Sequence, residues 1–462
     1  MTTLIPKYDQ GATGAVNRPI SLKLAETLSI LDFGADPTGS ADSTTAIQNA
    51  INTAATQGAS TGNGNVVYFP PGLYKISSSL SLPGSQFVSL LGAGGKVSQL
   101  IWAGANSTAM VSMNNGSSES AIFIEKLGFT LANGSSITGV IGIQTCETAE
   151  NAVVNLSIRK NYFLNLDIAL QANTETDELV FAENYVLQFT SYGIAVLGGT
   201  CSNYQIRDNQ FRGGSATSIG IYHAGGNNVL VEGNTIQTAN QGAMGIKLSS
   251  IYSFNITSNY FEVSGVNVSS NGPFINLLSC ISGIVEANYS TGDVGNYIVD
   301  VDATCQNIRF GPNTHAISGG TPSAFISIAV GASNIEINGI QSVIGGSFPI
   351  FIGNPTFVTE GSFIYTEQYF AKGVGLVNIS SSSSSQIFFG TSGQGYLVVA
   401  DQVTEGYSAS SIVIFNPSGA INSFSLGQTN ANFTITVSGL NISLTNGIGA
   451  TRTCNYVVTR IF

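Results

Sequence analysis

LSIRKNYF (156–163), LVFAENYV (179–186), YQIRDNQF (204–211), VLVEGNTI (229–236), FNITSNYF (254–261), GIVEANYS (283–290), IRFGPNTH (308–315) and NIEINGIQ (334–341) are eight versions of one phrase. Their asparagines, Asn161, Asn184, Asn209, Asn234, Asn259, Asn288, Asn313 and Asn338, lie 23, 25, 25, 25, 29, 25 and 25 residues apart. Three places before each stands an apolar residue (Ile158, Phe181, Ile206, Val231, Ile256, Val285, Phe310, Ile335), and two places after it there is usually another. A fixed period in this range marks a solenoid, whose coils bury their apolar faces only by stacking. Apolar residues alternate at period two, so the coils are built of strands.

A second apolar run follows each asparagine: DIALQ, GIAVL, GIYHA, GIKLS, FINLL, YIVDV, FISIA, PIFIG. Short strands joined by tight turns and repeated in parallel predict an all-β right-handed parallel β-helix. The asparagine belongs at a turn, where it tolerates left-handed geometry. Stacked coil on coil, the amides are expected to form a ladder.

The 462 residues are 43% hydrophobic but only 9% charged, against about 25% in an ordinary globular protein. Abundant large apolar residues exclude disorder. The net charge of −11 argues against nucleic acid or an anionic membrane as partner. No apolar run reaches the roughly 20 residues of a membrane span. The N-terminus shows no hydrophobic signal-peptide core, which suits release by cell lysis. Of five cysteines, Cys280 and Cys305 each lie eight residues before a repeat asparagine and should stack on adjacent coils. Free buried thiols are expected.

Residues 1–29 read as an N-terminal arm, with a short helix near Leu22–Leu28. Residues 30–358 read as the β-helix. Asp42 is placed to cap a helix whose Ala46, Ile47, Ala50, Ile51 and Ala54 share one face, and that helix would close the open end of the solenoid. Leu127 marks a weaker early coil. Residues 359–462 change to longer strands with turn punctuation, a β-sandwich pattern, and Ser380–Ser385 reads as a loop.

The run LDFGAD…TTAIQNAI…VVYFPPGLY (31–74) resembles the N-terminal signature of the pectate-lyase-like superfamily. The preceding GAVNRPISLKLAETLSI is similar to the segment that leads into it in bacteriophage tailspikes and tail fibres, and LTNGIGATRTCNYVVTRI to their C-terminal domains. The resemblance extends through about residue 355 for the fold. It implies a homotrimeric virion protein, assembled in the host cytoplasm and joined to phage tail or baseplate proteins through its N-terminal arm. It also implies depolymerisation of a bacterial surface polysaccharide, capsule or O-antigen, by hydrolysis or β-elimination. The motif holds no catalytic residues, so these must come from the repeat.

Hydrolysis needs two carboxyl groups about the scissile bond. Two places before the asparagine stand Arg159, Ala182, Arg207, Glu232, Thr257, Glu286, Gly311 and Glu336, an outward column by strand alternation. Glu183 and Asp208 lie one place nearer the asparagine. Glu232, Asp208, Glu183 and Glu286 are the candidate catalytic carboxylates. Arg207, Arg159, Tyr222, His223 and Lys247 are candidates for substrate binding, His223 also serving as base in the lyase alternative, although a buried histidine is the plainer expectation. Asp300 and Asp302, with Asp293 nearby, form a rival pair that could take calcium; Asp300 falls in a usually apolar column. No zinc spacing, phosphate loop or serine-hydrolase elbow is present, and no cofactor is expected. A spike that binds without cutting is the remaining alternative, which an even spread of outward aromatic residues would favour.

Overall fold

In this computed structural model, residues 6–337 are described except 25, 62–64, 84–86, 114–121, 133–137, 147–152, 174, 200, 216, 239–242, 264–271, 293–296 and 317–323; beyond 337 only the backbone of the strands is. Three parallel sheets of 11, 13 and 12 strands run the length of the β-helix. Each coil visits them in turn. Ile219–Ala224 lies in sheet 1, Asn227–Glu232 in sheet 2 and Thr235–Thr238 in sheet 3, and the next coil returns to sheet 1 with Met244–Ser249. Inward positions pack a continuous core that includes a file of stacked rings, Phe129, Phe163, Phe181 and Phe211, with centroids 4.8, 6.0 and 6.2 Å apart.

The expected asparagine ladder is present. It stands inside the corner between sheets 2 and 3. From Asn161 through Asn288, each asparagine donates its main-chain N–H and its side-chain Nδ2 to the Oδ1 of the next, ending on Asn313. Each Nδ2 also donates to a main-chain carbonyl of the preceding coil, as Asn234 does to Ile206 at 2.8 Å. Leu127 donates its N–H to Asn161 Oδ1 at 2.9 Å, so the early coil docks on the ladder's first rung.

Two details differ from the sequence reading. The left-handed residue is the one before Leu127 and before each asparagine from Asn161 to Asn288: Lys126, Lys160, Glu183, Asp208, Gly233, Ser258 and Ala287 have φ between 55° and 65°, whereas Pro312 precedes Asn313. The left-handed residue turns the chain; the asparagine itself is left free to point inward. The last coil is also shifted, because Arg309 pairs with Glu336 and Asn313 with Gln341. Glu336 therefore does not continue the column through Gly311, and Asn338 lies outside the described residues. The slip is two residues on sheet 2 and three on sheet 3. On sheet 2 it keeps every inward residue inward, so the alternation alone does not fix that register.

The helix Thr44–Thr61 buries Ile47, Ala50, Ile51 and Ala54 completely, with Ala46 packed beside them. Asp42 accepts the Thr44 N–H at 2.9 Å. Asp36 of the LDFGAD run accepts the Ala41 and Thr38 N–H groups at 2.7 and 2.9 Å. Those bonds hold its carboxyl at about 2, well below the usual range. Ahead of it the short helix is Ile20–Leu24, and Leu28–Ser29 already pairs into sheet 2. At the far end Val358–Thr359 pairs with Ile335–Glu336. Residues 375–460 carry antiparallel sheets of five and three strands, as a sandwich requires. Ser383–Ser385 belongs to one of those strands and is not part of a loop. Cys146, Cys201, Cys280 and Cys305 are buried thiols, and the Cys280 N–H donates to Cys305 Sγ at 3.3 Å, as coil stacking predicts.

Asn234→Ala would strand the Asn209 N–H and the Ile206 carbonyl in the core. A loss of about 2–5 kcal/mol is expected in denaturant unfolding, several times that of Asn228→Ala, whose Nδ2 bond to Asn203 is exposed. Equal losses would show that the ladder does not hold the corner.

Candidate active site

The outward column before the asparagines forms in register: Arg159, Ala182, Arg207, Glu232, Thr257, Glu286. Ala182 is nevertheless wholly buried, between its two arginine neighbours. The left-handed residues stand next to this column on the ridge of the corner. There Asp208, its side chain 56% exposed, lies 3.7 Å from Arg207. Its N–H donates to the Glu232 carbonyl at 3.1 Å, and its Oδ1 lies 2.7 Å from where a β-carbon on Gly233 would stand. A side chain at 233 would push that carboxylate aside, and Gly233 has φ +65°, which favours glycine there. Arg207, Asp208 and Glu232 therefore converge on two adjacent coils, with main chains about 4.8 Å apart. Among the described residues, Glu232 makes no ion pair or side-chain hydrogen bond.

The other ridge candidates are more dispersed. Glu183 is one coil before Asp208 and pairs with Lys160 at 3.6 Å. Glu286 is two coils beyond Glu232, pairs with Arg309 at 3.6 Å, and has its Oε2 over Gly311. Arg159 lies two coils before Arg207, its Nε buried without a partner.

Tyr222 and Lys247 stand elsewhere, on the outer face of sheet 1. Lys247 Nζ is 5.5 Å from the Tyr222 ring centroid, and Tyr192 stacks on the same ring at 5.6 Å. Asp300 belongs to this column as well: Tyr222, Lys247, Asn276, Asp300 and Ser327 are in register. It is half-buried, with Asn276 Nδ2 donating to it at 3.2 Å, so its expected place in an apolar column is corrected. The alignment missed that the strand's apolar pair is Val299 and Val301. Asp302 is spent on a turn, accepting the Ser279 and Thr304 N–H groups at 2.9 and 3.0 Å, which lower its pKa against the cost of partial burial. Asp293 lies outside the described residues.

His223 cannot touch substrate. It points inward beside Tyr222, fully buried, with its ring edge-on to Tyr204 at 4.7 Å. Among the described residues neither ring nitrogen makes a well-formed hydrogen bond, the Gly225 backbone offering only a weak contact. Burial pushes its pKa down to about 3, against a smaller opposing effect of the Gly225 backbone. This removes it both as a substrate ligand and as the base of an elimination.

One set of surface residues escaped the sequence reading. The residue just after each ladder asparagine points outward from sheet 3, in the column Tyr162, Tyr185, Gln210, Thr235, Tyr260, Tyr289, Thr314. Tyr185 is 54% exposed, and Tyr260 and Tyr289 lie parallel with centroids 5.7 Å apart. The signal was the repeated N-Y dipeptide, present in four of the phrases.

The molecule is thus a pectate-lyase-like parallel β-helix with a charged, tyrosine-flanked ridge. Residues 27–267, more than half of the chain, match the family described as rhamnogalacturonase A/epimerase, pectate lyase-like, and the chain belongs to that family. No curated protein matches it. Among solved structures it is similar to the DFA-IIIase of Arthrobacter chlorophenolicus A6, with 15% identity, 72% of this chain and 93% of that one covered, and a TM-score of 0.59. The tailspike gp49 of Acinetobacter baumannii bacteriophage Fri1, a capsular polysaccharide depolymerase, aligns over 98% of this chain and 88% of its own at 12% identity, with a TM-score of 0.41.

Because His223 stays neutral in the fold while an unfolded histidine titrates near 6.5, acid drives its unfolding. Its contribution is complete above pH 6.5 and is lost as pH falls toward 3. His223→Phe should flatten unfolding free energy against pH between 6.5 and 4 by on the order of 1 kcal/mol per pH unit. An unchanged slope would mean that the ring is solvated.

Proposed function

We propose that this chain is a polysaccharide-degrading enzyme that cleaves glycosidic bonds by hydrolysis on the ridge formed by Arg207, Asp208 and Glu232. The supporting observation is the convergence of two carboxylates and a guanidinium on neighbouring coils of a charge-poor solenoid. Glu232, without an ion-pair partner there, is assigned as the acid that protonates the leaving oxygen. Asp208, held beside Arg207, is assigned as base or nucleophile, and Arg207 positions the sugar. Membership of a family named for a rhamnogalacturonase supports a polysaccharide substrate.

The biological setting rests on the tailspike-like N- and C-terminal sequences. In this reading the protein is a homotrimeric phage tailspike, its arm attached to the tail or baseplate, and its substrate is a bacterial capsule or O-antigen. A second reading, β-elimination from a uronic acid, is favoured by the Tyr222–Lys247 pair, a phenol with a cation 5.5 Å from its ring centroid. There Tyr222, ionised to its phenolate, would take the proton α to the carboxylate, Lys247 would neutralise that carboxylate, and the leaving oxygen would take a proton from water.

The test is to incubate the full chain with capsular and O-antigen polysaccharides from a strain panel, following reducing ends and ultraviolet absorbance. Reducing ends without absorbance, cut at least about 100-fold in Glu232→Gln and Asp208→Asn, are expected. Absorbance that disappears in Tyr222→Phe would move the chemistry to sheet 1. Binding without either signal would refute cleavage.

A further inference from the structure

The tyrosine column on sheet 3 is interrupted, and the interruption is informative. Tyr162 and Tyr185 occupy two successive coils, and Tyr260 and Tyr289 another two. Between them lie Gln210 and Thr235. Gln210 follows Asp208 on its coil, and Thr235 follows Glu232 on the next. Between Tyr162 and Tyr289, the two coils that carry the carboxylate pair are therefore the two that lack a tyrosine, and beyond Tyr289 the column ends in Thr314.

We propose that the paired tyrosines are sugar-binding subsites on either side of the scissile bond, so that a polysaccharide runs along the solenoid axis from the Tyr162–Tyr185 pair, across the gap, to the Tyr260–Tyr289 pair. This rests on the ridge chemistry proposed above. Tyr185 and Tyr260 are three strand steps apart, about 14 Å at the inter-strand spacing, a distance that a short oligosaccharide bridges. A pyranose presents apolar C–H faces that pack on aromatic rings, while its hydroxyls need polar partners. The gap supplies these: Arg212 and Gln237 occupy the next outward position on the same two strands. Gln237 in turn donates to Glu262 at 2.7 Å, which fixes its amide. At one end of the track, Lys96 Nζ lies 4.7 Å from the Tyr162 ring centroid, so an acidic sugar would be accepted there. A passive binding surface has no reason to omit its rings on two coils. A cutting site does, because a ring over the reacting sugar would block the carboxylates.

The test uses the full-length Glu232→Gln chain, titrated with the same capsular and O-antigen panel by calorimetry, and Tyr185→Ala and Tyr260→Ala introduced singly. Each is expected to weaken binding about threefold to tenfold without lowering the unfolding midpoint, whereas Tyr185→Phe retains affinity. Tyr252→Ala, at an exposed tyrosine off the column, should bind as the parent does. In the active chain, the same tyrosine losses should raise KM more than they lower kcat. Parent-like binding by both alanine variants would overturn the subsites, even if cleavage is confirmed. Weakened binding in a chain that never cuts would keep the subsites and refute the hydrolase. No binding to any polysaccharide in the panel would overturn both.

Discussion

The corner between sheets 2 and 3 constrains everything else in the molecule. Its inner side is a file of asparagine amides, each bonded to the next coil and to the main chain. Its outer side is a row of left-handed residues that only the ladder can hold in place. For a non-glycine residue that conformation costs about 1–2 kcal/mol, and Lys160, Glu183, Asp208, Ser258 and Ala287 all adopt it. The buried amide bonds offset that cost. The parallel strand pairing sets the spacing of the coils, and the ladder holds the corner at which the carboxylates and the tyrosines stand on either side.

Much of this was legible in the sequence because a ladder tolerates little variation. A buried amide without its neighbour is expensive, so asparagine recurs at nearly every turn and the period announces the solenoid. The capping helix was legible for a similar reason, its small apolar residues returning on one face. What was not legible follows from degeneracy. Alternation at period two does not distinguish a two-residue slip, so the offset of the last coil on sheet 2 was hidden. Aligning the second apolar run one residue out of register put Asp300 on the wrong face. The phrase pins a two-residue turn but does not say which member is left-handed; only the geometry assigns it to the residue before asparagine.

The candidate site was partly legible. Arg207, Asp208 and Glu232 do come together, whereas Glu286 and Glu183 are tied to Arg309 and Lys160. Tyr222 and Lys247 sit on sheet 1, a separate surface. His223 is buried, as the plainer reading of its apolar column had it: Tyr222 points outward and strand alternation sends the histidine inward, away from any substrate. The tyrosines after the ladder were not legible as a column because a lone N-Y dipeptide does not say which face its tyrosine takes; only the sheet 3 register aligns them. They matter more than scattered aromatics would, since their gap coincides with the coils of the carboxylates.

In the proposed reading the substrate lies along the outer edge of the corner, across the gap over Gln210 and Thr235. The most direct measurement is a crystal structure of the Asp208→Asn chain with a bound oligosaccharide from whichever polysaccharide it recognises. Sugar density spanning Tyr185 to Tyr260, with a glycosidic oxygen within hydrogen-bond distance of Glu232, is the predicted result. Density instead on sheet 1, against Tyr222, Lys247 and Asp300, would contradict it.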